Sequence, residues 1–160
     1  MPYPEMYGPE DPNYRPKAID HVFFMDSVDH EMAQTIIDRL NASDAPLKAV
    51  QLRVLGGAIA RVPNDATAYG HRDKKIMAIC VNFYEGEDDL PRRKQWLADT
   101  FAVMDQGVSG AYVNFVRDVD ESGTRSAYPD GTYDRLARVK ATYDPDNVFH
   151  HNINVPPARS

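Results

Sequence analysis

Tyr112 and Asn114, in the run Gly110-Ala111-Tyr112-Val113-Asn114-Phe115, are the residues of this 160-residue chain whose types and spacing point furthest towards chemistry. In a strand, alternation sends Tyr112 and Asn114 to one face and Ala111, Val113 and Phe115 to the other. A phenol and a carboxamide side by side, preceded by the small pair Gly110 and Ala111, could line a pocket. The plainer alternative is a buried tyrosine hydrogen-bonded to its neighbour. His150-His151 could ligate a metal, but adjacent residues of an extended chain point to opposite sides, so no metal site is expected. Cys80 lies among apolar neighbours and reads as a core residue rather than a nucleophile. The sequence has no P-loop, no dinucleotide fingerprint and no His-Glu-x-x-His pair, and Gly56-Gly57 lacks the GxGxxG spacing. Nothing places a serine on a strained elbow, so no Ser/His/Asp triad is argued.

The elements that must position these groups follow from periodicity. Residues 1–17 read as an extended, proline-rich lead, because Pro2, Pro4, Pro9, Pro12 and Pro16 forbid helix and sheet ladders there. The lead is either a disordered tail or, given Tyr3, Tyr7 and Tyr14, a segment that packs along a surface. Residues 18–160 read as a single domain. AIDHVFFM (18–25) is a strand, followed by a helix capped by Ser27 or Asp29 with Met32, Ile36, Ile37 and Leu40 on one face. LKAVQLRVL (47–55) alternates, with Val50, Leu52 and Val54 on one side and Gln51 and Arg53 on the other. Gly56-Gly57 allows a bend, after which AIARV (58–62) resumes the strand pattern. PNDATAYGHRD (63–73) is a polar loop. IMAICVNFY (76–84), apolar on both faces, is expected to be a central strand covered on both sides.

A helix should begin near Asp88 with Pro91 in its first turn, burying Leu90, Leu97, Phe101 and Met104 and exposing Arg92, Arg93 and Lys94. Gly107 stops it. GAYVNFV (110–116) reads as a strand, 118–131 as a long loop, and 133–143 as a final helix with Leu136, Val139 and Lys140 near one face. Asp144-Pro145 ends that helix, since the residue before proline resists the α region. Mixed in this order, the elements predict an α+β fold, an antiparallel sheet with helices packed mainly on one face.

Composition narrows the function. Hydrophobic residues at 42% and charged residues at 26% are ordinary globular usage, enough for one cored domain. A net charge of −6 and a pI near 5.3 argue against a nucleic-acid partner, which would call for a clustered basic stripe. Apolar runs fall far short of the roughly 20 residues of a membrane helix, so no membrane is expected. One cysteine excludes an internal disulfide framework and a multi-thiolate metal site. The first residues carry neither the basic nor the apolar region of a secretory signal, which favours the cytoplasm and leaves the compartment otherwise open.

GAYVNFVRDVD, followed by AYPDGTYDRLARVKATYDPDNVFHHNINVPP, resembles the C-terminal berberine-bridge-enzyme-like segment of FAD-linked oxidases. That family carries a Tyr-x-Asn-aromatic strand, then a Tyr-Asp-Pro-x-Asn-x-Phe element and a short proline-containing tail. Upstream, QLRVLGGAIARVPNDATAYGHRD is similar to the substrate-domain strand pair and loop of the same family, and the lead and AIDHVFFM fit its preceding segment.

The resemblance implies FAD as cofactor and oxidation of an alcohol-type substrate (a sugar, an alkaloid or a phenolic) by hydride transfer to flavin. It implies that a flavin-binding domain, upstream or on a separate chain, is the partner, and that this chain alone has no turnover. Tyr112 matches the family's catalytic base. Asn114 matches the asparagine beside the flavin ring, and Asn147 and Asn152 fall in the tail that helps fix the cofactor. His71 and Arg72 occupy the substrate-facing loop, and Arg61, Arg72 or His71 is a candidate to stabilise the phenolate. The loop reads Tyr69-Gly70-His71-Arg72 where many relatives have an aromatic-proline-His-Arg run, so it is freer here. The alternatives are a redox-inactive small-molecule binding module, or a structural domain whose apolar sheet face pairs with itself in a homodimer.

Overall fold

The computed structural model describes residues 15–116, 121–129 and 131–159, so the proline-rich lead from residue 1 to 14 lies outside the described residues. Ile76–Tyr84 is the centre of the molecule. With apolar side chains pointing both ways it needs cover on both faces, and it takes the middle place in a three-stranded antiparallel sheet. We call it β3; it lies between β1 (Lys17–Met25) and β2 (Lys48–Val54). The register sets Cys80 opposite His21 on one side and Val50 on the other.

One face of this sheet is covered by two helices, α1 (His30–Ala42) and α2 (Leu90–Met104). Phe23, Met25, Ala78 and Cys80 from the strands meet Ile36, Trp96, Leu97 and Met104 from the helices. α1 begins where it does because the Asp29 carboxylate accepts the Met32 N–H at 2.8 Å. The helices are joined by polar contacts as well as by packing. Trp96 Nε1 donates to the Arg39 carbonyl at 2.9 Å, and Arg39 Nε donates to Thr100 Oγ1 at 3.2 Å. Burial in this layer pushes the Cys80 thiol up to about 12, so it is an uncharged core group.

The opposite face carries Phe24, Met77 and Ile79 and is covered by no long helix. Leu55, Ile59, Val108, Tyr112 and Phe115, from the segments after β2 and after α2, pack there instead. The chain then continues through α3 (Glu121–Ala127) and α4 (Thr132–Tyr143), and the tail returns to α4 with the Ala158 N–H on the Ala137 carbonyl at 2.9 Å. The α+β fold with helices mainly on one sheet face is the one expected.

Several local expectations are corrected. Residues 58–62 form turns rather than a strand, since Gly57 sits at φ +65 and turns the chain off the sheet. The stretch 110–116 is not a strand either: Gly110 at φ +120 breaks the extended run, and Val113–Phe115 closes one 3-10 turn. The expected loop 118–131 contains α3. On α4 the buried residues are Thr132, Tyr133 and Ala137, while Val139 is half exposed.

Arg93 was expected on a solvated face but is buried. Its Nε donates to Asp89 at 2.9 Å and its Nη1 to Asp44 at 2.6 Å, so the guanidinium ties the start of α2 to the turn after α1. A planar fork that finds two carboxylates can be taken out of water where a lone charge could not.

The two faces differ in how much each side chain supports. Met104→Ala, at a site with no solvent exposure, should lower the unfolding free energy by about 3 kcal/mol through lost transfer and a residual cavity. Leu52→Ala, on the exposed edge strand, should cost less than about 1 kcal/mol. Urea denaturation of the two variants measures the contrast.

Candidate functional site

The sheet face without a long helix is where four of the residues singled out from sequence gather: Tyr112, Asn114, His71 and Arg72. Tyr112 precedes the 3-10 turn and Asn114 lies inside it, and the turn brings the two side chains together: Asn114 Nδ2 donates to Tyr112 Oη at 2.8 Å. The pairing expected from strand alternation is therefore present, produced by a different backbone.

Tyr112 belongs to a chain of rings. Tyr69 meets it edge-on with centroids 5.6 Å apart, and Phe115 lies 5.5 Å away on the other side. A guanidinium sits over each end, Arg72 above Tyr69 at 5.1 Å and Arg53 above Phe115 at 5.2 Å. Burial raises the Tyr69 phenol above its ordinary value, with a further push from Tyr112 and an opposing pull from Arg72.

His71 is 3% exposed and wedges beneath this chain, 5.0 Å from Phe24 and 6.0 Å from Tyr69 between ring centroids. It fits because residue 110 is glycine. A Cβ there would stand 2.6 Å from His71 Cε1, and φ +120 already excludes most side chains. Burial first, then Lys74, lowers the His71 pKa, against opposing pulls from the Ser126 and Ala127 backbone and from Asp73. Its Nε2 has no hydrogen-bond partner. Arg72 is held by Nη2 donating to Thr67 Oγ1 at 2.8 Å and by its N–H on Asn64 Oδ1 at 3.2 Å, while its Nε is buried without a partner.

The remaining expected residues lie elsewhere. Arg61 is exposed in the turn after β2 and stacks on no ring among the described residues. Asn147 and Asn152 lie in the tail beyond α4, both left-handed at φ 52 and φ 61. Asp144 organises that tail: its carboxylate accepts the Val148 N–H at 2.7 Å and the Phe149 N–H at 3.1 Å. The Lys140 ammonium beside it, first among the causes, holds Asp144 below the usual carboxylate range. Asn147 Oδ1 and Asn154 Oδ1 are buried without partners. Three residues were missed from sequence: Arg53, Tyr69 and Phe115. Alternation had put Arg53 opposite Val50, and the aromatic before Gly70-His71-Arg72 was the available signal for Tyr69. Among the described residues no group of three His, Cys, Asp or Glu side chains could hold a metal, and no helix is long and apolar enough to cross a membrane.

Residues 111–156, the segment holding Tyr112, Asn114 and the tail, match the family model described as berberine and berberine like. The chain belongs to the berberine bridge enzyme-like family. It is 32% identical over 111 residues to the uncharacterized FAD-linked oxidoreductase YgaK of Bacillus subtilis, covering 69% of this chain and 24% of that protein. It is 32% identical over 143 residues to the aclacinomycin-N/aclacinomycin-A oxidase of Streptomyces galilaeus, covering 78% of this chain and 26% of that one. The fold matches berberine bridge enzyme from Eschscholzia californica with a TM-score of 0.78 at 19% identity, over 92% of this chain and 34% of that structure. A glycopeptide hexose oxidase complexed with teicoplanin matches with a TM-score of 0.67 at 25% identity, over 89% of this chain and 33% of that one. The chain thus spans about a quarter to a third of the length of these family members.

Gly110→Ala should destabilise the protein by about 2 kcal/mol, combining positive-φ strain with displacement of His71. A shift of the His71 ring resonances should accompany the lower melting temperature. His71 and His21 both have pKa values lowered by burial, so the unfolded chain takes up these protons first. Stability is then fully present above the unfolded value of about 6.5 and declines as pH falls from there. Asp44 and Asp89, held low chiefly by hydrogen bonds from Arg93 and Arg92 respectively, lose their contributions only below about pH 4, in a separate step. Urea midpoints as a function of pH, with imidazole titrations followed by NMR, resolve the two windows.

Proposed function

We propose that this chain is the substrate-binding and flavin-capping part of an FAD-dependent oxidoreductase that oxidises an alcohol-type substrate, a sugar, an alkaloid or a phenolic. The observation that carries this reading is the 2.8 Å hydrogen bond joining Tyr112 and Asn114 on the sheet face free of long helices, at the start of the family-matched segment.

The residues present suit the ring portion of FAD. Asn114 is exposed, Asn147 and Asn154 have unpartnered carbonyl oxygens, and carboxamides offer both donors and acceptors to a heteroaromatic edge. Among the described residues there is no glycine-rich loop opening a helix to cradle phosphates, so the dinucleotide portion falls to a flavin-binding domain supplied elsewhere. When bound, flavin supplies the hydride acceptor.

The chain's own residues handle the proton and the geometry. Tyr112 Oη takes the hydroxyl proton of the substrate, and the Asn114 amide, donating to that oxygen, supports it in the charged form a base must have. Arg72 contributes positive charge through Tyr69. His71, packed under Gly110, fixes the loop that carries Tyr69 and Arg72. Asn147 and Asn152, in the tail beyond α4, would reach the cofactor only from the flavin-binding domain's side.

The isolated chain should show no oxidase turnover, because a flavin held from one side alone would not be positioned for hydride transfer. Assembled with a flavin-binding domain, Tyr112→Phe should lower kcat at least about tenfold. An unchanged rate would remove Tyr112 as the base, and failure to assemble with any flavin-binding domain would overturn the capping role.

A further inference from the structure

The segment that supplies His71 and Arg72 carries charge of the opposite sign to the whole chain. In a chain of net charge −6, segment 51–76 holds Arg53, Arg61, Arg72, Lys74 and Lys75 against only Asp65 and Asp73. The lysines are satisfied, Lys74 by Asp73 and Lys75 by Asp26, each at 3.2 Å. Arg53, Arg61 and Arg72 have no carboxylate within 4 Å among the described residues.

These three arginines are not equivalent. Arg72 spends Nη2 on Thr67 and has Nε shut away from solvent. Arg61 stacks on no ring among the described residues. Arg53 sits over Phe115 with its Cζ 5.2 Å from the ring centroid, and its Nε donates to Gln51 Oε1 at 3.0 Å. Its Nη1 and Nη2 have no partner among the described residues, and the residue is exposed. A guanidinium over a ring with both Nη groups unpartnered can receive an oxyanion through two parallel hydrogen bonds. Phe115 in turn touches Tyr112, so an anion on Arg53 would stand one ring away from the proposed base.

We propose that the substrate of this site carries a carboxylate beside a planar ring, Arg53 pairing with the carboxylate while Phe115 and Tyr112 receive the ring. This deepens the oxidoreductase reading and rests on its assignment of this face to the substrate. It narrows the alcohols considered above to those bearing an anionic oxygen group.

The test uses the 160-residue chain and two probes of the same shape, para-hydroxymethylbenzoate and its neutral isostere para-hydroxymethylbenzamide, with binding read from amide and side-chain NMR shifts. The benzoate should bind about fivefold more tightly than the amide at low ionic strength, with its largest shifts at Arg53, Phe115 and Tyr112. The preference should shrink in about 0.5 M salt and vanish in Arg53→Gln. Arg53→Lys, which keeps the charge and loses the fork, should retain only part of it. Arg61→Gln should leave it unchanged. Equal binding of the two probes, absence of binding by the benzoate, or a preference that survives Arg53→Gln overturns the proposal. FAD at equal concentration should not displace the benzoate; displacement would assign Arg53 to the cofactor's phosphates and overturn the substrate assignment. No arm requires flavin chemistry, so losing the carboxylate preference leaves the Tyr112→Phe measurement standing, and a failed assembly with a flavin-binding domain leaves this one standing.

Discussion

β3 has two apolar faces, and the rest of the molecule is arranged to keep both from water. A strand of this kind is stable only at the middle of a sheet with a layer on each side. The helical layer solves one side by conventional packing, Trp96, Leu97 and Met104 of α2 closing over Ala78 and Cys80. The other side is covered by irregular chain, whose backbone donors and acceptors must be satisfied one at a time. That asymmetry decides where chemistry can occur. The helix-covered face is sealed, while the loop-covered face brings polar and aromatic side chains to the surface on a rigid floor.

The covering segments hold together through a few contacts that depend on one another. Gly110 leaves room for His71, and His71 packs on Phe24 of the floor. The loop so anchored presents Tyr69 edge-on to Tyr112, and Tyr112 reaches Phe115 and Asn114. Gly70, immediately before this His-Arg pair, is buried against Pro129. Packing thus supplies a constraint that the backbone at that position does not.

Family membership and the span of the match fit this picture. Most of this chain, 92%, superposes on berberine bridge enzyme while covering about a third of that structure. A sheet with one sealed face and one polar, ring-lined face suits the proposed role of contributing one wall of a larger site. The opposed signs of the whole chain and of segment 51–76 add an electrostatic direction to that wall.

Much of the scaffold was legible because hydrophobic period fixes it. The two-sided apolar run named β3 as the central strand, the apolar spacing located α1, α2 and α4, and Asp29 and Asp144-Pro145 marked a helix start and a helix end. The site residues Tyr112, Asn114, His71 and Arg72 stood out by type and motif. Their arrangement was not legible, because it depends on long-range packing that overrides local pattern. The strand-like run at 110–116 folds into a 3-10 turn once Gly110 gives way to His71, thirty-nine positions earlier in the chain. The basic run Arg92-Arg93-Lys94 looked uniformly solvated until Asp44, brought close by the sheet, drew Arg93 inside. Local chemistry alone determined which elements form and which side chains are available; contacts between residues distant in sequence decided which of those side chains meet.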